Sequence, residues 1–377
     1  MEEKTTKKLH IALVGDQTAP VFHGIVATNP DKVILICSDK TLAGGQRLQE
    51  MLGVPIEIME FSPTDLKSIN ESIDELQKRI APEDEVSINL QGGTKHWALM
   101  FMRAFSGNPK VQICLIDQNN VFSDLNTLET KDVVFDMDIN FQLYGNPLKK
   151  YTRFEEYTED DADVAKEIES IRKINFNQFN KLTTVLTKEQ QHKLRSEPSG
   201  SWNCGEAYVE WERPSYAKIS LFNKFNCRYE TKVLESENAV RLLFNAGWFE
   251  YKVARLLSRW SKAKEIRMNC IFEEKKQGSQ NAKNEADIIV NAGKKLLFVE
   301  CKTQITNTTD IDKFRTVVTN YGGDASKALF VTDAKMEGIA IEKCEESDIA
   351  HFSLKGEDGE SFLFTLLDKE IGKINKR

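Results

Sequence analysis

The sequence predicts an α/β protein with two α/β domains and a middle segment of different character. The chain has 377 residues, which is more than one hydrophobic core usually organises. Short β-branched runs alternate with helical stretches in the N-terminal part and again near the C-terminus, a pattern typical of sheets flanked by helices. We therefore expect domains at residues 1–148 and 238–377, joined by a linker module at residues 149–237.

The composition indicates a globular protein of the cytoplasm. The chain has 51 basic and 58 acidic residues, a net charge of −7, so any Lys and Arg cluster that binds nucleic acid has to be local. The longest apolar runs, such as Val33 to Cys37, are far shorter than the ~18 residues of a membrane span, and the N-terminus lacks an apolar signal region. The 7 scattered cysteines include no Cys-x-x-Cys pair, which argues against disulfides and structural zinc.

Five β-branched runs predict the strands of the N-terminal domain. They are Leu9 to Val14, Val33 to Cys37, Ile56 to Phe61, Val86 to Leu90 and Val111 to Ile116. The clearest helix follows the third run, because apolar residues recur there at steps of three and four from Leu66 to Ile80. Ser62-Pro63-Thr64-Asp65 supplies an N-cap, a proline at the first helical position and an acidic capping-box residue. These units predict a Rossmann-like domain.

Polar and glycine residues follow three of these strands. Asp16-Gln17-Thr18 comes after the first, Ser38-Asp39 after the second and Gly92-Gly93-Thr94-Lys95 after the fourth, at the carboxyl ends where open α/β sheets bind ligands. Two glycines at a strand-to-helix turn let a phosphate approach the backbone, and Lys95 adds a point charge. The alternative is a plain Gly-Gly turn with Thr94 as the helix N-cap, and the Walker spacing of a P-loop is absent.

The middle segment, residues 149–237, gives no functional signal. It is acidic from Glu155 to Asp163, then helical, then aromatic and turn-rich around Ser196-Glu197-Pro198-Ser199-Gly200. This pattern is compatible with a helical, hairpin-containing or winged-helix-like module.

The C-terminal domain begins with a helix and a hairpin. Trp248, Phe249, Val253, Leu256, Leu257 and Trp260 form one apolar helical face. The hairpin runs from Ala286 to Val290, turns at Asn291-Ala292-Gly293 and returns from Lys295 to Cys301. A helix from Asp310 to Thr319, a loop at Tyr321-Gly322-Gly323 and a strand from Ala328 to Thr332 follow.

The end of this hairpin carries candidate metal ligands. Strand periodicity places Glu300 and Lys302 at the end of an otherwise apolar face, so that face has to open onto a cleft, a partner or an ion. Asp287 lies across the hairpin from Glu300. We expect Asp287, Glu300 and the backbone carbonyl of Cys301 to bind Mg or Mn, which prefer hard oxygen ligands, with Lys302 orienting water or stabilising phosphorane charge. The alternative is a solvated, charged strand end.

Glu250, on the preceding helix, is a further candidate. It lies three and seven residues before Val253 and Leu257, and therefore beside the buried face. The alternative is a surface ion pair with Lys252 or Arg255.

The chain order of these residues, a helical Glu followed by an Asp and a Glu-x-Lys motif, resembles that of the PD-(D/E)xK nuclease superfamily. This superfamily has the restriction-endonuclease-like fold. The resemblance implies that Glu250, Asp287 and Glu300 gather the metal and that Lys302 assists hydrolysis. The sequence departs from the family pattern, because Glu285-Ala286-Asp287 stands where the family has Pro-Asp. Glu285 therefore becomes a possible extra ligand.

The N-terminal segments resemble the CARF domains of CRISPR-associated effectors, which are Rossmann-like dimers that bind cyclic oligoadenylates. The resemblance rests on Asp16-Gln17-Thr18, Ser38-Asp39 and Gly92-Gly93-Thr94-Lys95, and it implies that these segments line a ring pocket at the dimer two-fold. The whole chain is similar to CRISPR ancillary nucleases that cyclic tetra-adenylate switches on. The expected function is therefore that of a metal-dependent, homodimeric endonuclease of type III CRISPR antiviral defence, acting on single-stranded or supercoiled DNA and on RNA.

Two alternatives stay open. One is a ligand-sensing transcription regulator with a helix-turn-helix in the middle segment and an inactive C-terminal domain, although residues Phe176 to Leu194 show no basic recognition helix. The other is an enzyme whose first domain cleaves the ring itself.

Overall fold

The structure, a computed structural model, describes residues 7–80, 85–117, 120–273, 285–305, 307–323, 326–356 and 359–373. The chain divides into two compact units. The first consists chiefly of residues 1–147, and the second consists of residues 148–292 and 296–373. Within the described ranges, no helix combines the length and the apolar character that crossing a membrane requires.

The first unit is built on a seven-stranded sheet. Its strands are β1 (Lys8–Leu13), β2 (Lys32–Cys37), β3 (Ile56–Glu60), β4 (Glu85–Asn89), β5 (Val111–Ile116), β6 (Val121–Asp124) and β7 (Thr130–Asp132). The sheet order is β3-β2-β1-β4-β5-β6-β7, with β1 to β5 parallel and the last two strands antiparallel. All five predicted strands are present, and their ends differ from the prediction by no more than one residue.

Helices cover both faces of this sheet. They are α1 (Ala19–Thr28), α2 (Leu42–Met51), α3 (Leu66–Arg79), α4 (Lys95–Phe105) and α5 (Met137–Leu143). Alternate residues of β1 enter different cores: Ile11 packs with α3 and α4, whereas Ala12 packs with α1 and α2. Burial on both faces explains why the strands read as continuous apolar runs.

The start of α3 differs from the prediction. Asp65 is the N-cap, and its carboxylate accepts from the Lys67 and Ser68 N–H groups at 3.1 and 3.5 Å. Ser62 instead accepts from the Asp65 N–H at 3.1 Å and lies outside the helix. Aspartate and serine are equally good caps, so the two positions compete, and tertiary contacts of the loop decide between them.

The second unit begins with a strand, three helices and a four-stranded antiparallel sheet. These elements are β8 (Leu148–Arg153), α6 (Glu159–Ile174), α7 (Phe176–Thr183), α8 (Lys188–Ser196), β9 (Ser199–Cys204), β10 (Ala207–Glu212), β11 (Tyr216–Asn223) and β12 (Arg228–Glu235). The sheet order is β12-β11-β10-β9. The predicted middle segment is therefore helical first and a meander of strands afterwards.

A six-stranded mixed sheet completes the second unit. The remaining elements are α9 (Ala239–Leu243), α10 (Gly247–Leu257), β13 (Glu265–Phe272), β14 (Glu285–Asn291), β15 (Leu296–Lys302), α11 (Thr309–Val317), β16 (Lys327–Thr332), α12 (Gly338–Glu346), β17 (Ala350–Ser353) and α13 (Glu360–Gly372). The order is β17-β16-β15-β14-β13-β8, so β15 is a central strand. After α11 the chain forms a π-helical turn at Val318–Gly322, where the sequence predicted the end of a helix followed by a loop.

One hydrophobic core joins the parts of the second unit. It contains Ile168 of α6 and Trp211 of β10 together with Trp248 of α10 and Leu297 of β15. The sequence boundary between residues 237 and 238 falls inside this core.

Candidate functional site

The hairpin β14–β15 holds the predicted nuclease residues in the middle of the sheet. Ile288 pairs with Val299 in the antiparallel ladder, and Lys302 pairs with Thr332 of β16 on the other side. Val299 and Cys301 face the large core, whereas Glu300 alternates to the opposite face. Glu300 is only 1% exposed, so its carboxylate needs a partner within the protein.

That partner is the ammonium of Lys302, which lies among the three oxygen donors that the sequence assigned to a metal. Lys302 Nζ is 2.6 Å from Glu300 Oε1, 3.4 Å from the Cys301 carbonyl oxygen and 3.9 Å from Asp287 Oδ2. Asp287 Oδ2 also accepts from the Cys301 N–H at 2.8 Å. Burial alone would lower the pKa of Lys302, but the charges of Asp287 and Glu300 outweigh it and raise that pKa above its usual range.

Cys301 can offer a cation its main-chain carbonyl oxygen but not its sulfur. Burial, reinforced by the charges of Asp287, Glu250 and Glu300, raises the pKa of the Cys301 thiol well above its usual value. A thiol that stays protonated is a poor metal ligand. The backbone carbonyl, which already contacts the Lys302 ammonium, is the group available to a cation.

The donor set fits a hard divalent cation. Two carboxylates and one carbonyl converge on a single cationic position, and magnesium is commonly held by one or two carboxylates plus water and substrate phosphate. Within the described ranges, no group of three or more His, Cys, Asp or Glu side chains is placed to hold a metal ion. Glu250 and Asp287 line the same cleft, and a part of Glu250 in metal binding stays a prediction.

Glu250 enters the same region from α10. Gly247, the first residue of this helix, lies so close to α9 that an added Cβ would be 2.1 Å from the Arg241 carbonyl oxygen. This approach and the left-handed residues Asn245 and Ala246 fix the start of α10 and place half-buried Glu250 in a cleft. Lys252 and Arg255, the alternative partners of Glu250, contact Glu169 and Glu159 at 2.8 and 3.9 Å.

The cleft beside Glu250 has a volume of about 670 Å³ and carries charges of both signs. Glu250, Glu285 and Asp287 line it with four cations, which are Lys150, Arg195, Arg213 and Arg241. Sequence reasoning missed the cations, because they come from β8, α8, the β10–β11 turn and α9 and form no local cluster. The basic residues of α8 were the one available sequence signal for these cations. The sequence analysis found no basic recognition helix in residues 176–194 and gave that signal no weight.

The predicted ring-binding residues lie in the first unit, where the strand order reverses. β1 and β4 are parallel neighbours with their crossovers in opposite directions, so the loops after them flank the crevice at a topological switch point. Gly92 approaches β1 so closely that an added Cβ would be 1.8 Å from the Leu13 carbonyl oxygen. Gly93 has a positive φ of 74°. The two glycines are therefore required by the backbone path.

Thr94 caps α4 and ties its loop to the loop after β3. Its hydroxyl accepts from the Trp97 N–H at 3.3 Å and donates to the Pro63 carbonyl at 2.9 Å. Thr94 is therefore the N-cap of α4, as the alternative interpretation of this turn predicted. Lys95 is exposed in the first turn of the same helix. Capping and anion binding are compatible here, because both use the same helix N-terminus.

The other predicted residues divide into exposed and buried groups. Asp16 and Asp39 are exposed and Gln17 is half-buried. Thr18 is buried and donates to the Leu143 carbonyl at 2.8 Å. Ser38 is also buried, and its N–H donates to Thr41 Oγ1 at 2.9 Å. Asp16 and Asp39 are therefore accessible, whereas Thr18 and Ser38 make internal contacts.

A family comparison identifies this unit. Residues 9–144 match the family described as the Card1 CARF domain. The N-terminal part of the chain is a CARF domain. The predicted Rossmann-like CARF domain, followed by further α/β sheets, is confirmed.

Solved structures share the fold of nearly the whole chain. Can2 from Sulfobacillus thermosulfidooxidans in complex with cyclic tetra-adenylate is 18% identical, with a TM-score of 0.66 over 97% of this chain and 100% of Can2. VC1899 from Vibrio cholerae is 15% identical, with a TM-score of 0.64 over 96% of each chain. A type III CRISPR defence DNA nuclease activated by cyclic oligoadenylate is 17% identical, with a TM-score of 0.57 over 93% of this chain and 49% of that chain. No curated protein sequence is significantly similar.

Proposed function

We propose that the chain is a metal-dependent endonuclease of type III CRISPR antiviral defence that a cyclic oligoadenylate switches on. The observation that carries the proposal is the convergence of Asp287, Glu300 and the Cys301 carbonyl on one cation, in a chain that begins with a CARF domain. The C-terminal half would then be a PD-(D/E)xK nuclease, with Glu250, Asp287, Glu300 and Lys302 acting on the phosphodiester. Single-stranded or supercoiled DNA and single-stranded RNA are the proposed substrates.

The proposed activator is cyclic tetra-adenylate, which is the ligand of the similar Can2 structure. Phosphates of the ring would lie against the backbone at Gly92 and Gly93, with Lys95 as the cation, and the exposed residues Asp16 and Asp39 would flank the ring. A ring with two-fold symmetry suits an isologous interface, so we infer a homodimer. Binding would favour the active arrangement of the nuclease because the ring binds that arrangement more tightly.

In the nuclease, Asp287, Glu300 and the Cys301 carbonyl would hold Mg or Mn. The metal, when bound, would polarise the phosphodiester and lower the pKa of a water. Lys302 would leave its position among the three oxygens and donate to the phosphate or to the attacking water. As a compact ammonium, Lys302 would serve there as a cationic donor.

The test is a cleavage assay with Mn or Mg on single-stranded, supercoiled and RNA substrates, with and without cyclic tetra-adenylate. Wild type is expected to cleave only with the ring and the metal, whereas Glu300→Gln and Lys302→Ala are expected to be inactive. Lys166→Ala is the control, because it removes only a surface ion pair with Asp163. Full activity of Glu300→Gln would refute the site, and equal activity without the ring would refute the switch.

A further inference from the structure

The charged cleft of the second unit carries four cations that the proposed chemistry does not use. The cavity of about 670 Å³ adjoins one of about 380 Å³, since Lys150, Arg213, Arg241 and Glu250 line both, and Glu237 lines the smaller one. Arg195 of α8 joins them in the larger cavity, which also reaches Asp287. Cations of four separate elements thus face one cleft beside the proposed metal ligands.

These cations differ from their neighbours on the same elements. Arg153 of β8 contacts Glu265, Lys193 of α8 contacts Glu197 and Lys218 of β11 contacts Glu210, at 3.9, 4.0 and 3.4 Å. Among the residues that the structure describes, none of the four cleft cations forms an ion pair with a carboxylate. In a chain where acids outnumber bases by 58 to 51, cations without carboxylate partners in one cleft indicate an anionic ligand.

One of the four is held in place by the fold. Arg241 Nη1 donates to Thr152 Oγ1 at 2.5 Å. A guanidinium has five donors, so this bond orients the group and leaves others for a ligand. Lys150, Arg195 and Arg213 are exposed, and they can follow a flexible backbone.

We propose that Lys150, Arg195, Arg213 and Arg241 bind the phosphate backbone of a single polynucleotide strand and guide it to Asp287 and Glu300. This inference rests on the proposed nuclease function and gives the middle segment, residues 149–237, a role in substrate binding. A concave cleft with cations on several walls suits one strand, because a duplex displays its phosphates around a wide cylinder. Arg195 of α8 thereby contacts the strand inside the cleft.

The test measures binding without cleavage. Fluorescein-labelled oligothymidine and oligouridine are titrated with the full chain in EDTA, with and without saturating cyclic tetra-adenylate, at several salt concentrations. Lys150→Ala, Arg195→Ala and Arg213→Ala are each expected to weaken binding and to reduce the slope of log Kd against log salt by about 0.7. Arg153→Ala and Lys193→Ala, on the same elements but paired with carboxylates, are the matched controls and are expected to bind like wild type.

The outcomes separate this inference from the nuclease proposal. Equal losses in the cleft variants and the matched controls would overturn the cleft assignment, even if cleavage by wild type is normal. Wild-type binding that depends on the cleft cations, without cleavage under any metal and ring condition, would support the cleft and refute the nuclease.

A duplex of the same length that binds as tightly and loses affinity in the same variants would overturn the single-strand assignment. Because the three substituted residues are exposed, unchanged thermal unfolding is expected and confirms that each variant is folded.

Discussion

The ammonium of Lys302 lies 2.6 Å from Glu300 Oε1, and this ion pair is set in a central strand with Glu300 only 1% exposed. A buried carboxylate is costly unless it is paired, and the same ammonium also lies 3.9 Å from Asp287 Oδ2. Lys302 therefore offsets one of the two negative charges that Asp287 and Glu300 bring to this position. If these residues hold a metal ion as proposed, a divalent ion and the Lys302 ammonium would compete for one position.

Lys302→Met is expected to destabilise the metal-free protein and to strengthen metal binding. It removes the ammonium that lies between Glu300 and Asp287, and the loss of one partner of a buried ion pair costs about 3 kcal/mol. Thermal unfolding in EDTA and in Mn measures both effects, with a lower Tm in EDTA and a larger Tm increase with Mn than in wild type. Lys166→Met is the surface control. Equal Mn-dependent shifts in Lys302→Met and wild type would contradict the competition.

Gly92→Ala is expected to destabilise the CARF domain and to abolish ring binding. The new Cβ would be 1.8 Å from the Leu13 carbonyl oxygen, so β1 or the loop after β4 has to move. We expect a loss of at least about 2 kcal/mol in the free energy of unfolding. Gly107→Ala, where nothing lies within 4 Å of the added Cβ, is the control. Chemical denaturation and ring titration check both, and wild-type behaviour of Gly92→Ala would contradict the close approach.

Lys95→Ala is expected to weaken binding of cyclic tetra-adenylate by about tenfold, the value of one charge-assisted hydrogen bond of about 1.4 kcal/mol. Isothermal titration calorimetry measures the change, and Lys67→Ala on the exposed face of α3 is the control. The alternative in which the first domain cleaves the ring is tested by chromatography of cyclic tetra-adenylate after long incubation with the protein. Ring turnover that is lost in Lys95→Ala while nuclease activity persists would favour a ring-cleaving first domain.

Arg172→Ala is expected to destabilise the second unit by about 3 kcal/mol. Arg172 lies 2.7 Å from Asp333, which is 2% exposed and also contacts the exposed Lys355 at 3.4 Å. The Arg172 guanidinium packs on the rings of Phe176 and Trp248 as well. The exposed pair between Lys166 and Asp163 is the comparison, because its loss costs at most about 1 kcal/mol. Urea denaturation measures both, and equal losses would contradict the assignment of Arg172–Asp333 as a buried pair.

His10 is expected to make the first unit sensitive to acid. Its Nδ1 lies 2.7 Å from Ser87 Oγ, and burial lowers its pKa from 6.5 to about 3. The folded state therefore binds fewer protons than the unfolded state below pH 6.5, and His10 contributes a fall in stability of about 1.4 kcal/mol per unit as the pH drops toward 3. Burial lowers the pKa of His23 to about 4, so His23 adds a fall of the same sign.

His10→Asn, which keeps a polar partner for Ser87, is expected to flatten that dependence, whereas His96→Asn at an exposed histidine leaves it unchanged. Urea denaturation at several pH values measures the slope. An identical slope in His10→Asn and wild type would exclude His10 as the source.

Strong local signals made the first unit predictable. The runs that became β1 to β5 are buried on both faces and therefore read as continuous apolar segments. β6 and β7 are short, and all three residues of β7 are exposed, so no apolar pattern marks them. The hairpin β14–β15 was also readable, because a glycine turn separates two apolar runs.

The candidate site was predictable only where its residues share one hairpin. Asp287, Glu300 and Lys302 are brought together by a register that the turn fixes. The cleft cations come from four elements, and their meeting depends on how α8 and α9 pack in the shared core, which a local pattern does not encode. The position of the Lys302 ammonium among the oxygens of Asp287, Glu300 and Cys301 is likewise a result of burial and not of spacing.

The initial cleavage rate as a function of cyclic tetra-adenylate concentration, in wild type and in Lys95→Ala, tests the central claim most directly. We predict almost no cleavage without the ring and a saturating increase with it. Lys95→Ala should reach the same maximum at about tenfold higher ring concentration, because it weakens only binding. A wild-type rate that does not depend on the ring would contradict the account.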